Sequence, residues 1–297
     1  MKMSKSYKVF YVFNIIILLL MCCTMLFPYL NQLAIAFNEG SDTSMGGLTI
    51  FPRKFTLYNF STVLSDPGTV NAAVISILRV VLTVAISIII TFAAAYALTR
   101  RDLKGRKVFS RIYMITMYVN AGVIPTYILY RYLGLINNFA VYVLPYTFSF
   151  YNMIIMRSFI QELPASLEES ALLDGANELV VMFKIIMPLS LPVIATVALW
   201  IAVGQWNEYT STLYYITDKE LYTLQYLMMR VIKQGETMKQ QMSLNEAMGV
   251  SNNAAQQVTT ESVKAAMMIV TTLPIICLYP FLQKYFVKGV ALGAVKE

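Results

Sequence analysis

The sequence has no histidine, only three cysteines and few charged residues, with Asp, Glu, Lys and Arg making up 13% of its 297 residues. Without histidine, the chain lacks the commonest general base and metal ligand. Cys22, Cys23 and Cys277 have no metal-binding spacing and lie inside apolar runs, so we expect them to be packing residues. The sequence also lacks the Gly-x-x-x-x-Gly-Lys-Ser/Thr motif that binds nucleotide phosphates. These absences argue against an intramembrane enzyme, which needs a nucleophile–base or metal constellation.

What the sequence does have is long apolar runs, and 58% of its residues are apolar. Runs of roughly 20 residues recur, and each is long enough to cross a hydrocarbon layer of about 30 Å. Because the runs are continuous rather than alternating, they predict helices and not barrel strands. We therefore predict an all-α polytopic membrane protein with six transmembrane helices. These are Val9–Leu30, Ala72–Thr99, Val108–Tyr130, Phe139–Met156, Leu189–Trp206 and Ala265–Phe286.

Lysines and arginines cluster near the span ends and predict the orientation of the chain. They precede the first span, crowd the link between the second and third spans, and follow the last span. With six crossings these regions lie on one side, so we expect a multi-pass membrane protein with both termini in the cytoplasm. The net charge of +7 follows from this topology, and we expect no nucleic-acid partner. The first apolar run exceeds the ~7–15 residues of a secretory signal, which predicts a retained helix.

The spans divide the chain into a first helix with an extracellular loop (1–70), a transmembrane domain (71–286) and a cytoplasmic C-terminal tail (287–297). The domain includes an extracellular loop over residues 208–264. In it Leu224, Leu227, Met228 and Val231 recur at helical spacing and predict an amphipathic helix. After Gly235 no apolar period remains, which predicts a loop. A loop of this length either docks an extracellular partner or is a passive surface.

The inner loop, residues 157–188, is net acidic. Ser166 and Glu169 have the spacing of a capping box, which predicts a helix from Leu167 to Leu173. Gly175 can supply the left-handed turn that ends this helix. Asn177 or Glu178 then opens a second predicted helix, Leu179–Met187. The result is a helix–turn–helix elbow joined to the fifth span, either a coupling device or an acidic surface that serves only solubility.

Several polar side chains are predicted to lie at membrane depth, where ionisable groups often have a function. Arg79 either snorkels outward or lines the interior of the helix bundle. Gln205 and Glu208 share one helical face, and Thr147 and Tyr151 share another. Such polar and aromatic pairs suit a sugar, with its hydroxyls and apolar ring faces, and we assign these four residues to a substrate pathway. The alternative is that they join helices to each other.

The acidic loop carries a specific resemblance. Its residues Glu169-Ser-Ala-Leu-Leu-Asp174-Gly175-Ala176 and Ile186-Met-Pro188-Leu-Ser-Leu-Pro192 resemble the signature loop of permease subunits in bacterial binding-protein-dependent ABC importers. Ser170 and Met187 depart from that signature but keep a small or apolar side chain. Trp206-Asn207-Glu208, Leu213-Tyr-Tyr-Ile-Thr-Asp218 and the tail from Lys284 to Lys296 are similar to the maltose-type carbohydrate branch. The segment Gly47-Leu-Thr-Ile-Phe-Pro-Arg-Lys-Phe55 resembles members that import polysaccharide or glycan fragments.

This resemblance implies a type I importer permease of the bacterial cell membrane, without ATPase chemistry of its own. The implied partners are a second homologous permease, two cytoplasmic ATPase subunits that bind ATP and Mg, an extracellular sugar-binding (lipo)protein, an oligosaccharide and membrane lipid. No cofactor is expected on this chain. The implied ATPase-coupling residues are Glu168, Glu169, Ala171, Asp174 and Gly175. Among them Glu169 would pair with a basic residue, Ala171 would pack on the ATPase and Gly175 would permit the bend.

A secondary transporter driven by protons or sodium is the alternative from another class. It would need acidic or histidine side chains at the membrane midplane and interrupted helices in paired positions. This chain has no histidine and almost no acid at depth. The sequence therefore favours the ATP-driven importer.

Overall fold

The structure of the protein is a computed structural model that describes residues 5–100, 102–119, 121–247 and 258–294. Its α-helices are α1 (Lys5–Ala36), α2 (Gly40–Thr43), α3 (Tyr58–Leu64), α4 (Pro67–Thr99), α5 (Arg106–Tyr118), α6 (Val123–Tyr132), α7 (Phe150–Gln161), α8 (Ala165–Leu173), α9 (Glu178–Val181), α10 (Met187–Leu189), α11 (Leu191–Asn207), α12 (Thr210–Tyr215), α13 (Leu224–Ala247) and α14 (Thr260–Ala294). Within the described ranges no strand forms, and an isolated antiparallel bridge joins Asn38 to Phe55. The all-α prediction is confirmed.

Three single helices among the described residues are long and apolar enough to cross a membrane: Tyr7–Ala36, Pro67–Thr99 and Thr260–Leu278. Three bent pairs of helices raise the number to six if each pair is one span: Arg106–Tyr118 with Val123–Tyr132, Phe139–Tyr146 with Phe150–Gln161, and Glu178–Leu189 with Leu191–Asn207. Six spans at the predicted places are therefore consistent with the structure. The predicted boundaries at 70/71 and 286/287 fall inside α4 and α14.

The third predicted span, Val108–Tyr130, is wrong as one continuous helix. The axes of α5 and α6 differ by 118°, and Gly122 before α6 has a φ of +83°. Pro125 does not suit the interior of one long helix, because it has no N–H to donate to the preceding turn and its ring would clash there. In the first turn of a new helix, where no such bond is made, proline fits.

The fourth span, Phe139–Met156, is also not one helix. It consists of two short 3₁₀ turns, Phe139–Tyr142 and Leu144–Tyr146, followed by α7 at an angle of 46°. Pro145 interrupts helical hydrogen bonding, and Ser149 caps α7 by accepting a hydrogen bond from the backbone N–H of Asn152. The turn of the chain here buries Tyr142 completely and Tyr146 in part.

The outer loop departs from prediction after Gly235. The amphipathic helix predicted around Leu224–Val231 is confirmed, but α13 continues to Ala247 where a loop was predicted. Met, Lys, Gln and Glu are good helix formers even without an apolar period, which explains the error. Gly235 is suited to its place because an added Cβ would lie only 3.1 Å from the Cγ2 of Thr260. The part of the predicted loop at residues 248–257 lies outside the described residues.

One compact unit comprises the described residues of 1–70 and 227–273. The most apolar stretch of α1 has no buried side chain, and Cys22 and Cys23 are exposed there, as is Cys277 in α14. The three cysteines predicted to be packing residues therefore do not pack against the rest of this chain. Behind α1, the buried Asn38 donates to Asp42, which also accepts a 2.9 Å hydrogen bond from Nε of Arg53. This network gives the outer segment a fixed shape.

The other compact unit comprises the described residues of 71–226 and 274–294. Its largest buried apolar cluster joins side chains of α4, α7, the segment after α8 and α11. They include Ile88, Phe92, Ala95, Met153, Met156, Val181, Met182, Ile186, Val193 and Val197. The part of the inner loop that follows α8 thus packs on the apolar core of the spans, which fixes its position.

Candidate functional site

The predicted elbow is present and consists of α8, a turn at Gly175 and α9. The capping box is wrong, however, because α8 begins at Ala165, with Pro164 at the N-cap and no side-chain cap. Proline sets the backbone angles at that position, and Ser166 lies inside the first turn. Asn177 does cap the second helix as expected, and its Oδ1 accepts a 2.9 Å hydrogen bond from the N–H of Val180. After α9 the chain forms a π-helical turn, Met182–Ile186, that the sequence did not predict.

Gly175 ends α8 in the left-handed conformation, with a φ of +84°. The backbone N–H of Ala176 donates to the carbonyl of Ala171 at 3.0 Å, and that of Gly175 donates to Leu172 at 3.1 Å. This pair of bonds is the Schellman arrangement, which satisfies the last carbonyls of a helix. The structure confirms that Gly175 forms the left-handed turn after α8.

We expect Gly175→Ala to loosen the elbow. No atom lies within 4 Å of the position that a Cβ would take, so only backbone strain opposes the substitution. That strain is about 1–2 kcal/mol for alanine in the left-handed region. Thermal unfolding of the purified chain should show a loss for Gly175→Ala and a smaller loss for Gly175→Asn, since asparagine tolerates this conformation better. Equal losses in the two variants would contradict the assignment of strain to the backbone.

Two carboxylates of the elbow are held by side chains at the inner end of α4. Arg100 Nη1 donates to Glu168 in α8, and Arg100 Nη2 lies 2.8 Å from Oε1 of Glu178 in α9. The hydroxyl of Tyr96 lies 2.7 Å from Oε1 of Glu168 and 2.9 Å from Oε2 of Glu178. We call these four residues the inner clamp. One guanidinium therefore bridges the two arms of the elbow.

The charge of Arg100 is maintained by this arrangement. Burial alone would lower the pKa of the guanidinium, but the carboxylates of Glu168 and Glu178 raise it above its ordinary value. Asp102 adds a further carboxylate 3.4 Å from Nε. Arg100 therefore remains a cation, and the bridge persists wherever the two glutamates are ionised.

The outward side of α8 combines charge with apolar surface. Glu169, Ser170 and Asp174 are exposed, and Leu173 between them is 88% exposed. Leu173 was not among the predicted coupling residues, although its place at the end of an acidic helix could have indicated that it is exposed. This side of α8 therefore offers an apolar side chain between exposed carboxylates.

Two predicted coupling residues are placed differently from this outward group. Ala171 was expected to pack on the ATPase, but it is partly buried against the chain's own apolar cluster. Glu168 is half-buried, and its carboxylate is held within the inner clamp. The structure thus divides the five predicted residues into Glu169 and Asp174, which are exposed, and Glu168 and Ala171, which face inward, with Gly175 at the turn.

Arg79 lies in the interior of the bundle and is only 1% exposed, so the snorkelling alternative is wrong. Its Nε donates to Oε1 of Gln205 at 2.9 Å, its Nη1 donates to the backbone carbonyl of Glu208 at 2.8 Å, and its Nη2 donates to the Glu208 carboxylate. The guanidinium also lies 4.9 Å from the ring centre of Tyr142 and 5.9 Å from that of Tyr146, within cation–π range. We call Arg79, Gln205 and Glu208 the outer clamp.

The four predicted pathway residues each contact other groups of the chain. Gln205 and Glu208 are engaged by Arg79, which favours the alternative that they join helices. Thr147 Oγ1 donates to the carbonyl of Leu144 at 2.9 Å, near the start of α7. Tyr151 is 52% exposed, and its ring centre lies 6.2 Å from that of Trp200. Contact with a sugar remains a prediction for all four.

Comparison with known proteins settles the family. The sequence model of the binding-protein-dependent transport system inner membrane component matches residues 87–292, more than half of the chain. The chain belongs to this permease family. The matched region of this permease contains the elbow and all four residues of the inner clamp. It excludes residues 1–86, and therefore α1.

Similar permeases extend over nearly the whole chain. Protein LplC of Bacillus subtilis is 35% identical over 293 residues, which cover 99% of this chain and 97% of that protein. The polygalacturonan/rhamnogalacturonan transport system permease protein YtcP of the same organism is 32% identical over 96% of both chains. The crystal structure of a bacterial ABC transporter involved in the import of the acidic polysaccharide alginate matches with a TM-score of 0.85 at 28% identity, over 96% of this chain and 99% of the other.

These findings confirm the resemblance read from the acidic loop and the type I permease fold. The chain is a permease subunit of an ABC importer, an inner-membrane component with several apolar helices, and not an enzyme.

Proposed function

We propose that this permease serves an ATP-driven importer of oligosaccharides, in particular fragments of polysaccharides or other glycans. The proposal is supported by relatives whose names specify polygalacturonan, rhamnogalacturonan and alginate. It is carried by one observation in the chain itself. A rigidly seated elbow with the family signature presents an acidic and apolar face, Glu169, Leu173 and Asp174, to the outside of the chain.

In this proposal the transport path lies between this chain and a second homologous permease, and it opens alternately to each side of the membrane. Two cytoplasmic ATPase subunits bind ATP and Mg and contact the exposed face of α8, while this chain binds no cofactor. An extracellular sugar-binding (lipo)protein delivers the oligosaccharide. Closure of the ATPases moves the elbow, and the elbow moves the fifth span as a rigid body.

The proposed orientation places both termini and the elbow in the cytoplasm. The acidic loop would not be assigned to that side by its own charge. Its contact with Arg100 gives independent support, because the elbow lies at the same end of α4 as the basic link Arg100–Lys107. Basic links of this kind remain on the cytoplasmic side.

The test is uptake by the assembled importer. The tagged permease is purified from its native membrane with its bound subunits, reconstituted into proteoliposomes and supplied with the cognate binding protein and oligogalacturonate or alginate fragments. We expect uptake only with ATP and Mg on the ATPase side. Uptake that proceeds without nucleotide and follows an imposed proton or sodium gradient would instead establish the secondary-transporter alternative.

We also expect Tyr151→Ala to raise the KM for oligosaccharide uptake. Tyr151 and Trp200 form an exposed aromatic pair whose faces suit the apolar faces of sugar rings. Loss of one ring contact of about 1 kcal/mol corresponds to roughly a fivefold rise in the KM for uptake. Tyr132→Ala is the matched control, because Tyr132 is also an exposed tyrosine but lies at the end of α6. A KM equal to that of the control would remove Tyr151 from the pathway.

A further inference from the structure

Helix α4 is held at two distant points by one continuous stretch of chain, the elbow with α11. At its inner end Tyr96 and Arg100 hold Glu168 and Glu178, and further out Arg79 holds Gln205 and Glu208. Arg79 and Arg100 are 21 positions apart, which corresponds to about 30 Å of helix. That length is close to the thickness of the hydrocarbon layer.

We propose that Arg79 and Arg100 are positioning residues that clamp α4 to the coupling elbow and to α11, so that these elements move as one rigid lever. The proposal rests on the proposed function, because it names the part of the chain that would transmit the movement of the ATPases to the spans. A single contact would leave the two spans free to pivot about each other. Two contacts, about 30 Å apart, remove that freedom. Between them Ile88, Phe92 and Ala95 of α4 share a buried cluster with Val193 and Val197 of α11.

Charged contacts suit this task better than apolar ones. In a membrane the hydrophobic effect does not drive two helices together, because lipid tails are as apolar as the side chains. A guanidinium has fixed donor directions and accepts few alternative partners. The inner clamp therefore determines where the elbow lies along α4, and the outer clamp determines the register of α11.

The inner clamp also sets the angle of the elbow. Glu168 and Glu178 lie on opposite sides of the turn at Gly175, and Arg100 lies between their carboxylates. Two like charges so close repel each other when the cation is removed. Arg100→Gln should thus do more than delete a contact, since it should drive α8 and α9 apart.

The first test separates uptake from ATP hydrolysis in the assembled importer. For Arg100→Gln we expect the ATPases to remain bound and active, while the oligosaccharide imported per ATP falls by about tenfold, a typical size for coupling between two sites. Arg100→Lys should recover part of the loss. Adding Glu168→Gln to Arg100→Gln should also recover part of it, because the repulsion is relieved. Arg111→Gln, the same change at an exposed arginine of α5 that lies outside both clamps, is the control and should leave the ratio unchanged.

Two results would overturn the proposal: an unchanged ratio in an intact importer, or joint loss of assembly, hydrolysis and uptake in Arg100→Gln. The second result would make Arg100 a folding residue.

A second measurement does not depend on transport. Spin labels on Ala97→Cys in α4 and Leu179→Cys in α9, in the assembled importer with Cys22, Cys23 and Cys277 replaced by Ala, report the distance between the helix and the elbow. Both positions are exposed and outside the clamps. We expect a narrow distance distribution in the parent and in Arg111→Gln, and a broad one in Arg100→Gln. Equally narrow distributions in all three would refute the clamp. If the parent importer transports no oligosaccharide, the proposed function fails, yet this comparison still decides the clamp.

Discussion

Glu169→Lys will release the ATPase subunits and abolish uptake while leaving the permease inserted in the membrane. Glu169 is exposed on α8, and we expect its carboxylate to pair with a basic residue of the ATPase. Truncating one partner of such a charge pair costs about 2–5 kcal/mol, and reversing the charge adds repulsion. Affinity should therefore fall by at least about 30-fold. Co-purification of the ATPase with the tagged permease measures this loss.

The matched control for this prediction is Glu162→Lys, which makes the same change at another exposed glutamate, just after α7. It should retain the ATPase and uptake. Leu173→Asp tests the apolar part of the same face and should also weaken the complex, because a buried carboxylate would replace an apolar contact. Retention of the ATPase by both Glu169→Lys and Leu173→Asp would place the docking surface elsewhere.

Arg79→Met will destabilise the permease strongly. Removing the guanidinium leaves the Glu208 carboxylate and the Gln205 amide of the outer clamp without their cationic partner. Breaking a buried pair in this way typically costs about 3–5 kcal/mol. We expect a low yield of folded protein and a clear fall in Tm, measured by thermal unfolding of the purified chain in detergent.

A second substitution distinguishes an unpaired charge from lost packing. If the cost comes from the unpaired Glu208, Arg79→Met combined with Glu208→Met should be more stable than Arg79→Met alone, since replacing both members of a buried pair by apolar groups is often nearly neutral. Arg79→Lys should be intermediate, because lysine keeps the charge but not the planar fork. A double variant as unstable as the single one would show that Arg79 acts through its packing on Tyr142 and Tyr146.

The local features of the elbow could be predicted because short-range signals determine them. Pro164, Gly175 and Asn177 mark where its helices begin and end, and the structure confirms the turn and the second cap. The capping box failed because proline at the N-cap outweighed the Ser-x-x-Glu spacing. Gly235 misled in the same way, since it suggested a helix end but serves a close approach to Thr260.

The partners of the charged residues could not be predicted because they are distant in sequence. Arg79 and Glu208 are 129 positions apart, and Arg100 and Glu168 are 68 apart. Helical periodicity states which residues share a face but not which face meets another helix. The bends in the third and fourth spans were missed for a related reason, since hydropathy measures length and composition and is insensitive to the direction of a helix.

The 81° bend at Ser190 has a mechanical consequence. Pro188 and Pro192 bracket it, and neither has the N–H needed to straighten the helix through this point. Ser190 is fully buried there, and its backbone N–H is bonded to the carbonyls of Ile186 and Met187. Under the proposed function, a sideways displacement of the elbow should therefore change the tilt of α11, because the two helical segments meet at a fixed angle close to 90°.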